Sequence, residues 1–183
     1  MTSSAVDSPR NQPQYQIRFD WGVEGADAIA PGAHIVVWAD AHADGGADPL
    51  SITHDGAIIT GSVGSRAAVA AWVLERQVEL GDRAVVAVVA AGGPGGRFAV
   101  EDMLAAGAVI DALAEVGIDY ISPEAAAAVG AYTGLRYATG HVLSACVSGQ
   151  EIMAARGRGA IDAARALNDS AQFAVLKEFR LPA

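Results

Sequence analysis

Asp40, His42 and Asp44 occupy alternate positions in Asp40-Ala-His-Ala-Asp44, directly after the apolar run Ile35-Val-Val-Trp-Ala39. A run of that kind predicts a buried strand. Side chains alternate along a strand, so residues spaced by two share a side. Where strand geometry persists past Ala39, two carboxylates and an imidazole converge at the strand's end. That is a hard-to-borderline ligand set, suited to Mg²⁺, Mn²⁺ or Zn²⁺. The carboxyl end of a strand is also where ligands bind in open α/β sheets. The competing reading is a polar turn, since Gly45-Gly46 follow and Asp and Gly are ordinary turn residues.

A second segment with chemical potential is Gly92-Gly-Pro-Gly-Gly-Arg97, followed by Glu101-Asp102. It joins a strongly apolar run to a helical pattern, where backbone N–H groups and the helix dipole can hold an anion. Gly92, Gly93 and Gly95 let the backbone come close to a ligand, and Arg97 supplies a bidentate donor. Glu101 and Asp102 are candidate metal ligands facing that pocket. Against this stands the dipole-stabilising role of acids in a first helical turn. The loop fits neither a Walker nor a Rossmann pattern.

The third segment is Ser144-Ala-Cys146-Val-Ser-Gly-Gln-Glu151. A helix N-terminus or a nearby cation would make Cys146 a nucleophile. A lone cysteine among alanines and valines is more simply a small buried hydrophobe. Ser148 and Glu151 have capping-box spacing. His34, His54 and His141 read as structural or surface histidines, and Trp21, Trp38 and Trp72 as core. No nucleophile-elbow serine is present.

The chain has 183 residues, 52% of them hydrophobic, which suits one domain with a substantial core. The polar stretch 1–14 is expected to be a disordered lead-in, leaving 15–183 as a single domain. No apolar stretch is long enough to span a bilayer uninterrupted, and a soluble cytoplasmic protein is expected. A single cysteine, Cys146, is taken to exclude an internal disulfide and a cysteine-based zinc cluster. The net charge of −9 argues against nucleic acid or an anionic membrane as partner. The expected partners are a small anionic metabolite and, in a homodimer, a second copy of the chain.

Strands are predicted at Tyr15–Trp21, Ile35–Ala39, Ala57–Thr60, Ala84–Ala91, Ile118–Ile121 and Phe173–Phe179. The Ala84–Ala91 run, all small or β-branched, predicts a central strand covered on both faces. Helical patterns fill Val23–Ala30, Arg66–Leu80 with Ser65 as N-cap, Val100–Val116, and Pro123 to about Tyr137 behind Ser122. Shorter ones follow near Val142–Val147, from Ser148 to Gly157 or Gly159, and over Ala160–Leu167. Alternating strands and helices predict an α/β protein: three layers, α/β/α, around a largely parallel central sheet.

Two resemblances add to this. Asp40-Ala-His-Ala-Asp44 after a strand resembles the metal motif of the ureohydrolases, the arginase and agmatinase group. That would make Asp40, His42 and Asp44 ligands of a manganese centre. The Gly-Gly-Asp-His segment and the later Asp-rich motif of that group are absent here.

The second resemblance covers most of the chain. It is carried by Gln16-Ile-Arg-Phe-Asp-Trp-Gly22, Ala91-Gly92, Val100-Glu-Asp-Met-Leu-Ala-Ala-Gly-Ala108, Ser122-Pro-Glu124, Ala145-Cys-Val-Ser-Gly-Gln-Glu151 and Phe173-Ala-Val-Leu176. In that order these segments resemble the 2-phosphosulpholactate phosphatase (ComB-like) family. The resemblance implies a three-layer α/β/α fold and a Mg²⁺-dependent hydrolase of a small phosphorylated acid. It aligns Asp40 with the family's strand-end aspartate and Glu101-Asp102 with its Glu-Asp pair.

On that reading Asp40, with Glu101 or Asp102, holds Mg²⁺ (Mn²⁺ as the alternative), with His42 and Asp44 completing the site. Arg97 and the glycine loop then take the phosphate charge. The chain also departs from the family. Ala41-His-Ala-Asp-Gly-Gly46 replaces a Ser/Thr-rich segment, and a later Asn-Gly-Thr/Ser segment is missing between Asp48 and Leu50. Gly64-Ser65 stands for an Arg-Asn. Two further readings follow: a family member that has lost catalysis and binds a small ligand or partner, or another Mn/Mg hydrolase built on Asp40, His42 and Asp44.

Overall fold

Val86–Ala90 is buried on both faces, as its small and β-branched residues require of a strand with neighbours on each side. The computed structural model describes residues 8–43 and 47–181. Its strands are β1 (Ile17–Trp21), β2 (Ile35–Ala39), β3 (Ala57–Gly61), β4 (Val86–Ala90) and β5 (Val175–Lys177). They form one sheet in the order β1-β4-β2-β3-β5. β1, β4, β2 and β3 are parallel, and β5 runs antiparallel along β3. Helices α1 (Gly22–Ile29), α2 (Arg66–Leu80), α3 (Val100–Glu115), α4 (Pro123–Leu135), α5 (Thr139–Ala145), α6 (Val147–Arg156) and α7 (Arg158–Asp169) complete the described fold.

Alternation along the strands sorts the core into two layers. Ile35, Val37, Ala39, Val86, Val88 and Ala90 pack with Val69 and Val73 of α2 and Val109 and Ile110 of α3. Val36, Trp38, Ala87 and Val89 pack on the other face with Ala26 and Ile29 of α1 and with Ile52. The three-layer α/β/α arrangement expected from the sequence is therefore the observed one. Among the described residues, no helix is long and apolar enough to cross a membrane.

The two layers also separate the loops that follow neighbouring strands. Past β2, Ala41 packs on the α2/α3 face while Ile52, further along, packs on the α1 face; β4 leads to α3 on the α2/α3 face. β2 and β4 are neighbours. Adjacent strands whose connections part to opposite faces open a crevice at their carboxyl ends. Asp40 and Gly92 stand on its two sides.

Several local expectations need correction. Ile118–Ile121 makes only a single bridge, Ile121 with Ile17. Gly117 turns the chain at φ 87° to bring Ile118 N–H onto Leu113 O, and Pro123 opens α4 almost at once, leaving no room for a strand. Ser65 does not cap α2 with its side chain; its hydroxyl accepts from Ser62 N–H instead. Ser148 lies inside α6, and the cap is Cys146, whose Sγ accepts from Gly149 N–H at 3.3 Å. Ser122 does cap α4, accepting from Ala125 N–H.

The lead-in expected to be disordered is partly built into the fold. Pro9–Asn11 forms a 3-10 turn, and Asn11 and Gln12 are buried. The Gln12 side-chain amide donates to Phe19 O at 2.8 Å and accepts from Phe19 N–H at 3.0 Å. Phe19 lies on β1, an edge strand whose outward backbone groups need partners. Ile17 finds its own in Tyr120 O and Ser122 N–H.

α3 and α4 touch closely because Gly107 carries no side chain: a Cβ there would lie 2.2 Å from Ala128 O. Gly107→Ala should therefore force the helices apart and cost about 1–3 kcal/mol of stability. A lowered urea midpoint at unchanged slope is the expected measurement; an unchanged midpoint would show that the helices yield freely.

Candidate functional site

Asp102, in the first turn of α3, sits across the crevice between β2 and β4. One carboxylate oxygen accepts from Ala41 N–H at 2.8 Å and the other from Gly92 N–H at 2.9 Å. Each donor begins the loop after one of the two strands, so a single buried side chain ties both strand ends together. Burial raises its pKa, and the neighbouring charges of Asp40 and Glu101 push the same way against those two hydrogen bonds, to about 7.

Glu101 precedes Asp102 but faces a different set of groups, as adjacent residues on a helix must. Its Oε1 lies 3.5 Å from His42 Nδ1, and the two side chains are 2% and 3% exposed, so water screens them little. His42 Nε2 pairs with Leu143 O at 2.9 Å, which makes that nitrogen the donor. Burial alone would raise the Glu101 pKa; hydrogen bonds from His42 and Ser148 overcome it and hold the carboxylate at about 2. Burial likewise works to lower the His42 pKa, but Glu101 and the Leu143 carbonyl raise it on balance. The pair is a buried imidazole facing a carboxylate.

Cys146 completes this second cluster. The donor atoms of His42, Glu101 and Cys146 all lie within 4.8 Å of one another. Burial, with the charge of Glu101 nearby, pushes the thiol up to about 11. That excludes an activated nucleophile. Arg97 donates to Ser148 Oγ at 3.1 Å and pairs with Glu151 at 3.4 Å.

Asp40 closes a turn. Its Oδ1 accepts from His42 N–H at 3.2 Å and Ala43 N–H at 2.7 Å, and Ala43 adopts φ 48°. This side-chain-to-backbone turn ends the strand alternation immediately after Ala39. The expected convergence of Asp40 and His42 is thereby undone: His42 turns its ring nitrogens to Leu143 and Glu101, while Asp40 borders a cleft of about 690 Å³. Asp44 lies outside the described residues. The cleft opens at the carboxyl ends of β2 and β3, between Trp38, Asp48, Leu50, Ser62, Ser65 and Phe173. None of the described side chains lining it is basic.

The predicted residues thus fall into three places. Asp40 is on the cleft. His42 and Glu101 form the buried pair, with Asp102 bridging the strands beside them. Gly92, Gly93, Gly95 and Arg97 form a loop closed on itself, Gly93 N–H donating to Arg97 O at 2.8 Å, with Arg97 drawn onto α6. The sequence reading missed Ser62, Ser65 and Asp48. Ser62-Val-Gly-Ser65 directly after an apolar run was their one visible signal. It also missed Asn168, whose Nδ2 donates to Ala41 O from α7.

A family model for 2-phosphosulpholactate phosphatase matches residues 48–177. A comparison with curated proteins finds no match. The matched span holds β3 to β5, Glu101, Asp102 and Cys146, and begins beyond Asp40 and His42.

Asp102 and Glu101 make opposite contributions to pH dependence. The folded chain keeps a proton on Asp102 between about pH 4 and 7 that the unfolded chain has released, so this contribution to stability falls as pH rises through that window. The Glu101 contribution is present above its ordinary value of 4.5 and is lost as pH falls toward 2. Asp102→Asn leaves one backbone N–H facing an amide NH₂, a cost of about 1–3 kcal/mol. Urea unfolding across pH 3–8 should show that loss together with a flattened decline between about pH 4 and 7. An unchanged slope there would contradict the assignment.

Proposed function

The chain belongs to the 2-phosphosulpholactate phosphatase family, and from that premise we propose that it hydrolyses the phosphate ester of a small organic acid with a divalent cation, Mg²⁺ or alternatively Mn²⁺. The observation that carries this reading is the position of Asp40: an oriented carboxylate at a strand end, on the rim of a large cleft. Oxygen donors of this type suit Mg²⁺. Asp40 and Asp48, both on the cleft, would hold the ion, which supplies polarisation of the phosphoryl oxygens and a more acidic bound water.

The chain's own groups supply the remainder. Ser62 and Ser65 line the same cleft directly before α2. The first-turn N–H groups of α2 and its dipole favour an anion at that end. Asp102 keeps the loops after β2 and β4 in register, and so holds Asp40 at the rim. It acts through position, since both its oxygens already accept from the backbone. Arg97, expected to take phosphate charge, lies off this cleft and pairs with Glu151 at 3.4 Å.

The lack of a basic side chain among the described residues lining the cleft favours a second reading, in which the fold is kept and catalysis is lost. The third reading, a centre built on Asp40, His42 and Asp44, loses support because His42 is engaged elsewhere. Without a lining cation, the metal must meet most of the phosphoryl charge. Phosphate release from p-nitrophenyl phosphate and from small phospho-acids should therefore need added Mg²⁺ or Mn²⁺ and stop with a chelator. Asp40→Asn should lower kcat/KM by at least about 100-fold, roughly 2.7 kcal/mol of transition-state stabilisation. Metal binding without turnover would select the second reading. Turnover indifferent to metal and to Asp40→Asn would refute the first.

A further inference from the structure

We propose that His42, Glu101 and Cys146 form a separate site for a thiophilic cation, Zn²⁺, distinct from the Asp40 cleft. Nitrogen, carboxylate and sulfur donors suit zinc, whereas Mg²⁺ takes oxygen. A tetrahedral Zn²⁺ needs nitrogen and oxygen donors roughly 3.3 Å apart and nitrogen and sulfur donors roughly 3.6 Å apart. His42 Nδ1 and Glu101 Oε1 are already 3.5 Å apart, and the Cys146 sulfur lies within 4.8 Å of a ligand atom of each residue. A small movement of the cysteine side chain closes the set.

The surroundings match what a zinc ligand set requires. A metal-bound histidine donates its other ring N–H to a backbone carbonyl or carboxylate, which fixes its tautomer. His42 Nε2 is so placed on Leu143 O at 2.9 Å. Ser148 hydrogen-bonds Glu101, and Gly149 N–H orients the Cys146 sulfur at 3.3 Å. Three protein ligands leave a fourth position for water. A void of about 10 Å³, bordered by Glu101 and Asn168, lies beside the cluster. That is about the space one water needs. Asn168 is 95% buried and its Oδ1 has no hydrogen-bond partner among the described residues, so a water there would find an acceptor. The bound ion would join the loop after β2, the start of α3 and the α5–α6 junction.

Co²⁺ titration of the whole chain with Mg²⁺ in excess tests this. One equivalent should bind with a strong sulfur-to-cobalt charge-transfer absorption and the visible bands of a four-coordinate ion, and Zn²⁺ should displace it. Cys146 is the sole cysteine, so such an absorption locates the ion without any variant. Cys146→Ser should abolish it and His42→Gln should weaken binding at least tenfold, with circular dichroism confirming both folds. Asp40→Asn should leave the absorption intact, so that failure of this site and failure of the cleft reading are told apart. Should the variants not fold, Zn²⁺ should slow reaction of the wild-type thiol with a disulfide reagent at least tenfold. Absence of binding at micromolar Co²⁺, binding without thiolate absorption, or no thiol protection would each overturn the proposal.

Discussion

One carboxylate governs the geometry of this molecule's working end. Asp102 accepts one backbone N–H from the loop after β2 and one from the loop after β4, at 2.8 and 2.9 Å. Those strands are neighbours whose chains then part to opposite faces of the sheet. The ladder between them ends with Ala91 N–H donating to Ala39 O at 2.9 Å, and beyond it the two loops need another tie. A buried side chain with two acceptors supplies it. Asp40 starts one of those loops, and its own turn onto His42 and Ala43 is built on the register that Asp102 sets. Placing this carboxylate at the start of a helix lets the dipole offset part of the cost of burying it.

Adjacent acids in that first turn meet opposite fates. Glu101 faces an imidazole and two hydrogen-bonding side chains and stays ionised to about pH 2; Asp102 faces Asp40 and Glu101 and keeps its proton to about pH 7. A helix turns about 100° per residue, which is enough to put neighbours in different electrostatic surroundings. Only Glu101 has hydrogen-bonding side chains, His42 and Ser148, to offset its desolvation, and Asp102 is relieved by protonation.

Most strands and helices were legible because their causes are local. Ile35–Ala39 and Arg66–Leu80 were bounded to the residue by β-branched runs, glycine at the helix end and helical periodicity. Asp40 was legible as a strand-end acid for the same reason. His42 was not, because its reading assumed two more residues of strand, and the Asp40 turn with Ala43 in a left-handed conformation ends the alternation. Cys146 was read as a small apolar residue; its thiol meets Glu101 and His42 only through the packing of α5 on α3 and beside the β2 loop, contacts between residues far apart in sequence. Arg97 suited an anion by type and place, but Glu151, a neighbour only in the fold, decides where it points.

The amide of Gln12 has a reach beyond its own segment. Counted outward from β1, Ile17 is satisfied by Tyr120 and Ser122, Phe19 by Gln12, and Trp21 N–H by the Asp20 carboxylate. A sheet margin with its donors and acceptors already answered offers no template to a passing strand. Residues that read as a dispensable tail therefore work as a selvedge, finishing the sheet so that it cannot be extended by another molecule along β1. Any assembly of two copies must be built on helix faces or on the short β5 margin, and a chain shortened past Gln12 trades a closed border for an adhesive one.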